Sequence, residues 1–322
     1  KMGIQSSTQS NDRGIQESRR AGKDVSNHSS KSSQSDTSNP EDHALPSSLR
    51  SPCDSFNCGG GTDDNPGYAC SSVQGMRQTM EDEHEVAHSI CQLQNGETVH
   101  FFGVFDGHGG RECAEFLKNN ITARVRSCLQ SHHLVEDALK EAFSNVDNQF
   151  LRYSDENNIA ETGSTAVVCL VTKTTIYCAN TGDSRAILCR RAKTLQLSRD
   201  HKPNRPDERM RIEQLGGSVI FNRVMGRLGV SRAFGDASLK KYVTAEPEVT
   251  SFPLTVGDDF LILACDGLWD VVDNDAVAKI VRSKTSSQGI KEAAQALTSY
   301  AVRCGSNDNV TVIVVQLPMI SA

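Results

Sequence analysis

The chain has 322 residues, 37% apolar and 23% charged, with a formal net charge of −6. That apolar share supports a sizeable core and excludes a wholly disordered chain. The negative balance argues against a nucleic-acid partner, which is held by clustered Lys and Arg. No run approaches the roughly 20 apolar residues of a membrane span, and no charged start plus apolar stretch marks a secretory signal.

Residues 1–65 are rich in Ser, Asn, Gln, Gly and charge, and their only aromatic is Phe56. Such a segment buries too little apolar surface to offset its ordering entropy. It is expected to be disordered and to end in the turn-rich stretch 59–66. Near its start, Met2-Gly3-Ile4-Gln5-Ser6-Ser7 fits the myristoylation pattern at Gly3, and Arg19, Arg20 and Lys23 offer a second, basic anchoring signal. The pattern applies only if Met2 starts the natural chain; with Lys1 native, Gly3 is internal and no membrane contact is expected.

A folded domain is expected over 66–318, with 319–322 as a tail. A strand-like stretch at 83–88 follows Glu81-Asp82. The apolar run 99–105 reads as a buried strand. Helices are predicted at 111–129 and 133–152; in the second, Val135, Ala138, Leu139, Ala142, Phe143, Val146 and Phe150 recur at helical spacing. Strands follow at 164–171, 175–181 and 185–190. An Arg-rich helix at 205–215 stops at Gly216-Gly217. A strand at 260–265, helices at 274–283 and 288–303, and a strand at 310–317 complete the chain. Strands come in groups and helices in pairs. That pattern fits antiparallel sheets with helices packed outside, an α+β domain, rather than a parallel sheet.

Eleven cysteines are scattered without a C-x-x-C pair. Cys169, Cys178 and Cys265 sit in apolar runs and behave as small hydrophobes. Free thiols in a reducing compartment, cytosol or nucleus, are expected. Cys53, Cys58 and Cys70 are close in sequence but lack a second pair to complete a metal cluster, so they read as unpaired surface thiols.

Several apolar strands end or begin at an acidic residue flanked by small ones. Asp106-Gly107 follows 99–105, Asp183-Ser184 follows 175–181, and Asp266-Gly267 follows 260–265. Asp308-Asn309 precedes 310–317, and Glu81-Asp82 precedes 83–88. Taken singly, Asp-Gly is a turn, Glu81-Asp82 a solvated pair, His108 a structural histidine and Arg77 a surface cation. Taken together, they place carboxylates, the ligands hard cations prefer, at the rigid ends of strands. The glycines let a backbone carbonyl approach as well.

Eight stretches carry a resemblance to the type 2C metal-dependent protein phosphatases. They are Arg77-Gln78-Thr79-Met80-Glu81-Asp82, Val104-Phe105-Asp106-Gly107-His108-Gly109-Gly110, Gly163-Ser164-Thr165-Ala166 and Asn180-Thr181-Gly182-Asp183-Ser184-Arg185. Then come Asp200-His201-Lys202-Pro203, Ser231-Arg232-Ala233-Phe234-Gly235-Asp236, Ala264-Cys265-Asp266-Gly267-Leu268-Trp269-Asp270 and Ser306-Asn307-Asp308-Asn309-Val310-Thr311. The resemblance implies two packed antiparallel β-sheets flanked on both sides by helix pairs, a four-layer α-β-β-α sandwich. It implies two Mn²⁺ or Mg²⁺ ions per subunit, a weaker third, and attack of a metal-bridging hydroxide on phosphoserine or phosphothreonine in proteins. By motif position Asp106 would bridge both ions, Glu81 and the Gly107 carbonyl would hold one, and Asp266 and Asp308 the other. Asp82 would orient water, Arg77 would bind phosphate and His108 would be the general acid. Asp183, with Asp266 and Asp270, would form the third site. Arg205, Arg209, Arg211, Arg223, Arg227 and Arg232 would lie in a substrate-selecting flap over about 201–238, and a monomer acting on phosphorylated proteins is implied.

This route needs no protein nucleophile, and no cysteine is followed six residues later by Arg. Two rivals remain: an inactive relative serving as a binding module, which would have lost metal ligands, and a two-metal nuclease, which the net acidity opposes.

Overall fold

The structure, a computed structural model, describes residues 55–62, 65–191 and 193–318. Two strands open it, β1 (Ser55–Gly59) and β2 (Gly67–Val73), followed by β3 (Asp82–Gln92) and β4 (Thr98–His108). Helices α1 (Glu112–Ser131) and α2 (Val135–Glu156) come next, then β5 (Gly163–Ser164), β6 (Ala166–Val171), β7 (Thr175–Thr181), β8 (Arg185–Arg190) and β9 (Lys193–Gln196). Residues 201–238 contain α3 (Pro206–Gln214), the small hairpin β10 (Val219–Ile220) and β11 (Arg223–Val224), and β12 (Phe234–Gly235). The chain closes with β13 (Glu248–Pro253), β14 (Asp258–Ala264), the single turn α4 (Asp266–Trp269), α5 (Asn274–Ser287), α6 (Ile290–Arg303) and β15 (Val310–Gln316).

One sheet runs β1-β2-β15-β14-β8-β9 and the other β12-β5-β4-β6-β7-β13, with β3 also on β4. Every strand pairing within them is antiparallel. Successive side chains of a strand face opposite ways, and β4 shows what that does here. Phe101 and Phe105 pack with α1 and α2, while Phe102 and Val104 face the other sheet. Both faces are buried, so the strand reads as a continuous apolar run rather than an alternating one. The opposite sheet repeats the device: Ile262 and Val312 face α5 and α6, while Leu261, Leu263 and Ile313 face inward. The α+β sandwich with helix pairs on both outer faces is therefore the observed fold.

Several expectations need correction. Ser55–Gly59 lies in the segment expected to be disordered, yet it is strand β1, paired with β2 at Phe56↔Ser71 and Cys58↔Ala69. Phe56 packs against the α5–α6 core, and the Lys291 ammonium lies 4.8 Å over its ring. One aromatic is enough to hold an edge strand. Residues 1–54, including Lys1, Met2 and Gly3, lie outside the described residues, as does Cys53. Cys70 is fully buried between the sheets rather than a surface thiol, while Cys58 is exposed. The strand predicted over 164–171 is broken at Thr165, whose N–H donates to the Asp106 carbonyl at 2.9 Å. Strand β2 was not expected, because its centre is polar. Ser71 and Ser72 are buried and hydrogen-bond Thr298 and Thr311 (both 3.0 Å).

The 201–238 segment is braced by one buried carboxylate. Glu208 accepts from Arg211 (2.8 Å) and Arg232 (2.7 Å), and Arg205 lies 3.7 Å away. Burial opposes the charge, but hydrogen bonds from Arg232 and Arg211 override it and hold the carboxyl down at about 2, against 4.5 when free. The folded value lies below the unfolded one. Glu208 therefore contributes stability above pH 4.5, and that contribution is lost as pH falls toward 2. Glu208→Gln should cost about 3 kcal/mol at pH 7, because it leaves buried guanidinium charge unpaired. Urea melts from pH 7 to 3 should show a shallower acid loss in the variant; equal slopes would contradict the assignment.

Candidate metal centre

The sheet ends bring the acidic residues together. Asp82 opens β3 and stands opposite Asp106 of β4 in register. Like charges directly opposite on neighbouring strands repel. Asp183 sits in the turn after β7, where Gly182 takes a φ of +110°. A Cβ on Gly182 would run into the Thr165 side chain, so the turn needs glycine. Asp266 starts α4 directly after β14. Carboxylate oxygens of Asp106, Asp183 and Asp266 lie within 4.8 Å of one another.

Asp82, Asp106 and Cys265 form a second group within the same distance. The Cys265 sulfur is already engaged: it accepts from Thr311 N–H (3.1 Å) and faces the Asn309 carbonyl (3.4 Å). Asp82 is 4% exposed, and its Oδ2 has no hydrogen-bond partner among the described residues. An unpaired buried carboxylate oxygen is costly unless a cation or a proton meets it.

The electrostatics record that cost. Burial, then Asp82, Asp266, Asp183 and Asp308, push Asp106 well above the usual carboxylate range. Burial raises Asp82 to about 6 against the pull of Thr311 and Cys265. Burial, then Asp183 and Asp270, raise Asp266 to about 8. Asp183 is also raised by burial, although Lys202 opposes the shift.

The remaining predicted residues surround this cluster. Glu81 accepts from the Thr79 hydroxyl (2.8 Å) and from Gly110 N–H (3.3 Å), and its backbone carbonyl accepts from Gly107 N–H (3.2 Å). A Cβ on Gly107 would strike that carbonyl, so the close passage of β4 beside residue 81 requires glycine. Asp308 is outside both tight groups. Its Oδ2 accepts from Arg77 at 2.6 Å, and its Oδ1 from Asn309 N–H at 2.7 Å. Asp270 is exposed, near Asp266 and Lys202. His108 Nε2 bonds Asp236 at 2.9 Å. Burial lowers the His108 pKa, but the Asp236 hydrogen bond and the carboxylates Asp183 and Glu81 outweigh it, and the net shift is upward.

Three residues of the site had no role assigned from sequence. Lys202 reaches Asp183 (2.5 Å) and lies 3.7 Å from Asp266, so its ammonium supplies part of the missing positive charge. Asn309 donates to the Gln74 and Thr79 carbonyls (2.8 and 3.0 Å) and accepts from Glu81 N–H (2.8 Å), which latches the 74–81 loop to β15. Asp236 is the partner of His108. All three lie inside the motif stretches quoted above, so the motifs marked them without explaining them.

A clustered set of oxygen donors with one unpaired buried oxygen fits a hard divalent cation. Comparison with known proteins agrees. The family model described as protein phosphatase 2C matches residues 67–310. The chain belongs to that family. It is 40% identical over 252 residues to the rice (Oryza sativa subsp. japonica) protein named "Probable protein phosphatase 2C 59", covering 77% of this chain and 75% of the rice protein. The solved serine-threonine phosphatase 2C from Toxoplasma gondii superposes with a TM-score of 0.70 at 25% identity, covering 78% of this chain and 94% of that one. A C. elegans sex-determining protein superposes with a TM-score of 0.71 at 26% identity, covering 77% of this chain and 64% of that one. Membership of the family makes this chain a metal-dependent protein serine/threonine phosphatase.

The cluster yields a prediction for the metal-free protein. The folded values of Asp82 (about 6) and Asp266 (about 8) lie above the unfolded 3.8. Their contribution to stability is full below pH 3.8 and is lost as pH rises through 6 and 8. In chelator, the melting temperature should fall between pH 5 and 8.5. Asp106→Asn should raise it at pH 8 by about 2–4 °C for each kcal/mol of repulsion relieved. A pH-independent melting temperature, or a destabilised variant, would contradict the electrostatic reading.

Proposed function

We propose that the site takes two Mn²⁺ or Mg²⁺ ions per subunit, with a weaker third place, and hydrolyses phosphoserine and phosphothreonine in proteins. The observation that carries the reading is the convergence of Asp106, Asp183 and Asp266 within 4.8 Å beside the buried Asp82. Asp106, Glu81, the Gly107 carbonyl, Asp266 and Asp308 would hold the two ions, with Asp106 shared between them. Asp183, Asp266 and Asp270 would hold the third, where the Lys202 ammonium now lies against Asp183 and Asp266. Bound divalent cations supply neutralisation of the phosphate charge and activation of water.

The chain's own groups do the rest. Asp82, buried against Asp106, orients the attacking water as an acceptor. Arg77 holds Asp308 Oδ2 at 2.6 Å in this structure. With Asp308 holding a cation, that guanidinium would be free, and its fork matches phosphate oxygens. His108 gives its proton to the leaving Ser or Thr oxygen; burial lowers its pKa, but the Asp236 hydrogen bond outweighs burial, and the net upward shift favours the charged form. The scattered cysteines, without a C-x-x-C pair, favour a reducing compartment, cytosol or nucleus.

The test is phosphate release from a phosphothreonine peptide. Wild-type protein should turn over with Mn²⁺ and stop in excess chelator, Asp106→Asn should be inactive although folded, and nucleic acid should release nothing. His108→Gln should lose about 10²-fold or more on the peptide but only a few-fold on an aryl phosphate, whose leaving group needs little protonation. Full activity in chelator or in Asp106→Asn would reject the reading.

A further inference from the structure

A small three-strand junction lies beside His108. Gly107 and His108, the last residues of β4, pair with Ser164 and Gly163 of β5. Those two pair in turn with Phe234 and Gly235 of β12. The next residue is Asp236, so the sheet register itself delivers a carboxylate to the imidazole. Both carboxylate oxygens come within hydrogen-bond distance of His108 Nε2, Oδ2 at 2.9 Å and Oδ1 at 3.1 Å. The Asp236 side chain is 7% exposed, against 29% for His108.

Three further features are committed to this contact. Asp236 has a φ of +49°, the left-handed region that residues other than glycine rarely adopt and that Asp and Asn tolerate best. Its N–H is tied to the Thr162 carbonyl at 3.0 Å, and its own carbonyl accepts from Leu239 N–H at 2.8 Å. Gly163 lies flat against the pair, and a Cβ there would strike both His108 Nε2 and Asp236 Oδ2. Backbone in a rare conformation, held where it serves one side chain, is a pattern of functional sites. No described residue hydrogen-bonds His108 Nδ1.

The geometry points to Asp236 as the positioning residue for proton delivery: by holding Nε2 it fixes the plane of the His108 ring and leaves Nδ1–H as the donor to the leaving group. The inference rests on the general-acid reading of His108 given above. In the step it describes, the phosphorus–oxygen bond to Ser or Thr breaks, and the bonding pair stays on the leaving oxygen. The Nδ1 proton goes to that oxygen. His108 is left neutral with Nε2–H still pointing at Asp236, and solvent water returns a proton to Nδ1. No oxidant or further reactant is needed. A carboxylate that orients a catalytic imidazole and fixes its tautomer is a recurrent device in acid–base sites.

The test uses Asp236→Asn, since Asn keeps the size and suits the left-handed backbone. Gly163→Ala is the second variant, because it displaces the pair without removing either charge. Both are assayed with Mn²⁺ on a phosphothreonine peptide and on p-nitrophenyl phosphate, with thermal melts alongside. The expected result for each is a loss of kcat of about 10²-fold on the peptide with KM little changed, and under about 3-fold on the aryl ester. Adding Asp236→Asn to His108→Gln should change peptide turnover by less than about 3-fold, because the two act as one unit. Equal losses on both substrates, or independent losses in the double variant, would overturn the positioning role and leave a purely structural contact. A His108→Gln variant with no preference between the substrates would instead reject the general-acid reading itself, so the two failures are distinguishable.

Discussion

Repulsion between buried carboxylates is the constraint around which this molecule is arranged. Asp82, Asp106, Asp183 and Asp266 meet at one end of the sandwich, with oxygens of three of them within 4.8 Å. At that separation two like charges in a protein-like medium repel by on the order of 3 kcal/mol. Burial adds a desolvation penalty to each. The metal-free protein therefore keeps part of the cluster protonated and meets the rest with Lys202 and Arg77. Such an arrangement makes sense in a protein that takes up divalent cations, and the family to which the chain belongs is metal-dependent.

The fold can hold this repulsion because each acidic residue sits at the end of an element that is fixed for other reasons. β4 is locked by apolar packing on both faces, through Phe101 and Phe105 on one side and Phe102 and Val104 on the other. β14 and β15 are locked likewise through Leu261, Leu263 and Ile313. Large cores lie between and outside the sheets, so the loops at this end cannot spread to relieve the charges. Gly107 and Gly182 permit the close passages that bring residues 81, 106 and 183 together. Asn309, bonded to three backbone groups of the 74–81 loop, closes the arrangement from the far strand.

The parts legible in the sequence were those with strong local signals. Apolar runs gave β4, β7, β8, β14 and β15, and the spacing of Val135 through Phe150 gave α2. The Asp residues stood out because each followed or preceded such a run. β2 and β13 escaped because Ser71, Ser72, Thr250 and Ser251 interrupt their apolar content; tertiary pairing, not local propensity, makes them strands. β1 escaped because one Phe in a polar tail carries no periodicity. The contacts of Lys202 with Asp183 and of Asp236 with His108 span 19 and 128 positions of sequence, so neither is visible until the sheets are assembled. The pairing of Arg77 with Asp308, 231 positions apart, was likewise unseen, and it shows two residues expected to act on different groups holding each other in this state.

The central claim is that the carboxylate cluster is a built cation site with Asp106 at its centre. The most direct measurement is calorimetric titration of metal-stripped protein with Mn²⁺ at pH 7 in two buffers of different ionisation enthalpy, for wild type and Asp106→Asn. The account predicts saturable binding of two ions per chain in the wild type. It also predicts proton release on binding, because burial and the neighbouring carboxylates Asp183 and Asp270 raise Asp266 to about 8, so it carries a proton at pH 7 before the metal enters. Asp106→Asn should lose the tight binding and the proton release together. Binding that is unchanged in Asp106→Asn, or that releases no protons in the wild type, would contradict it.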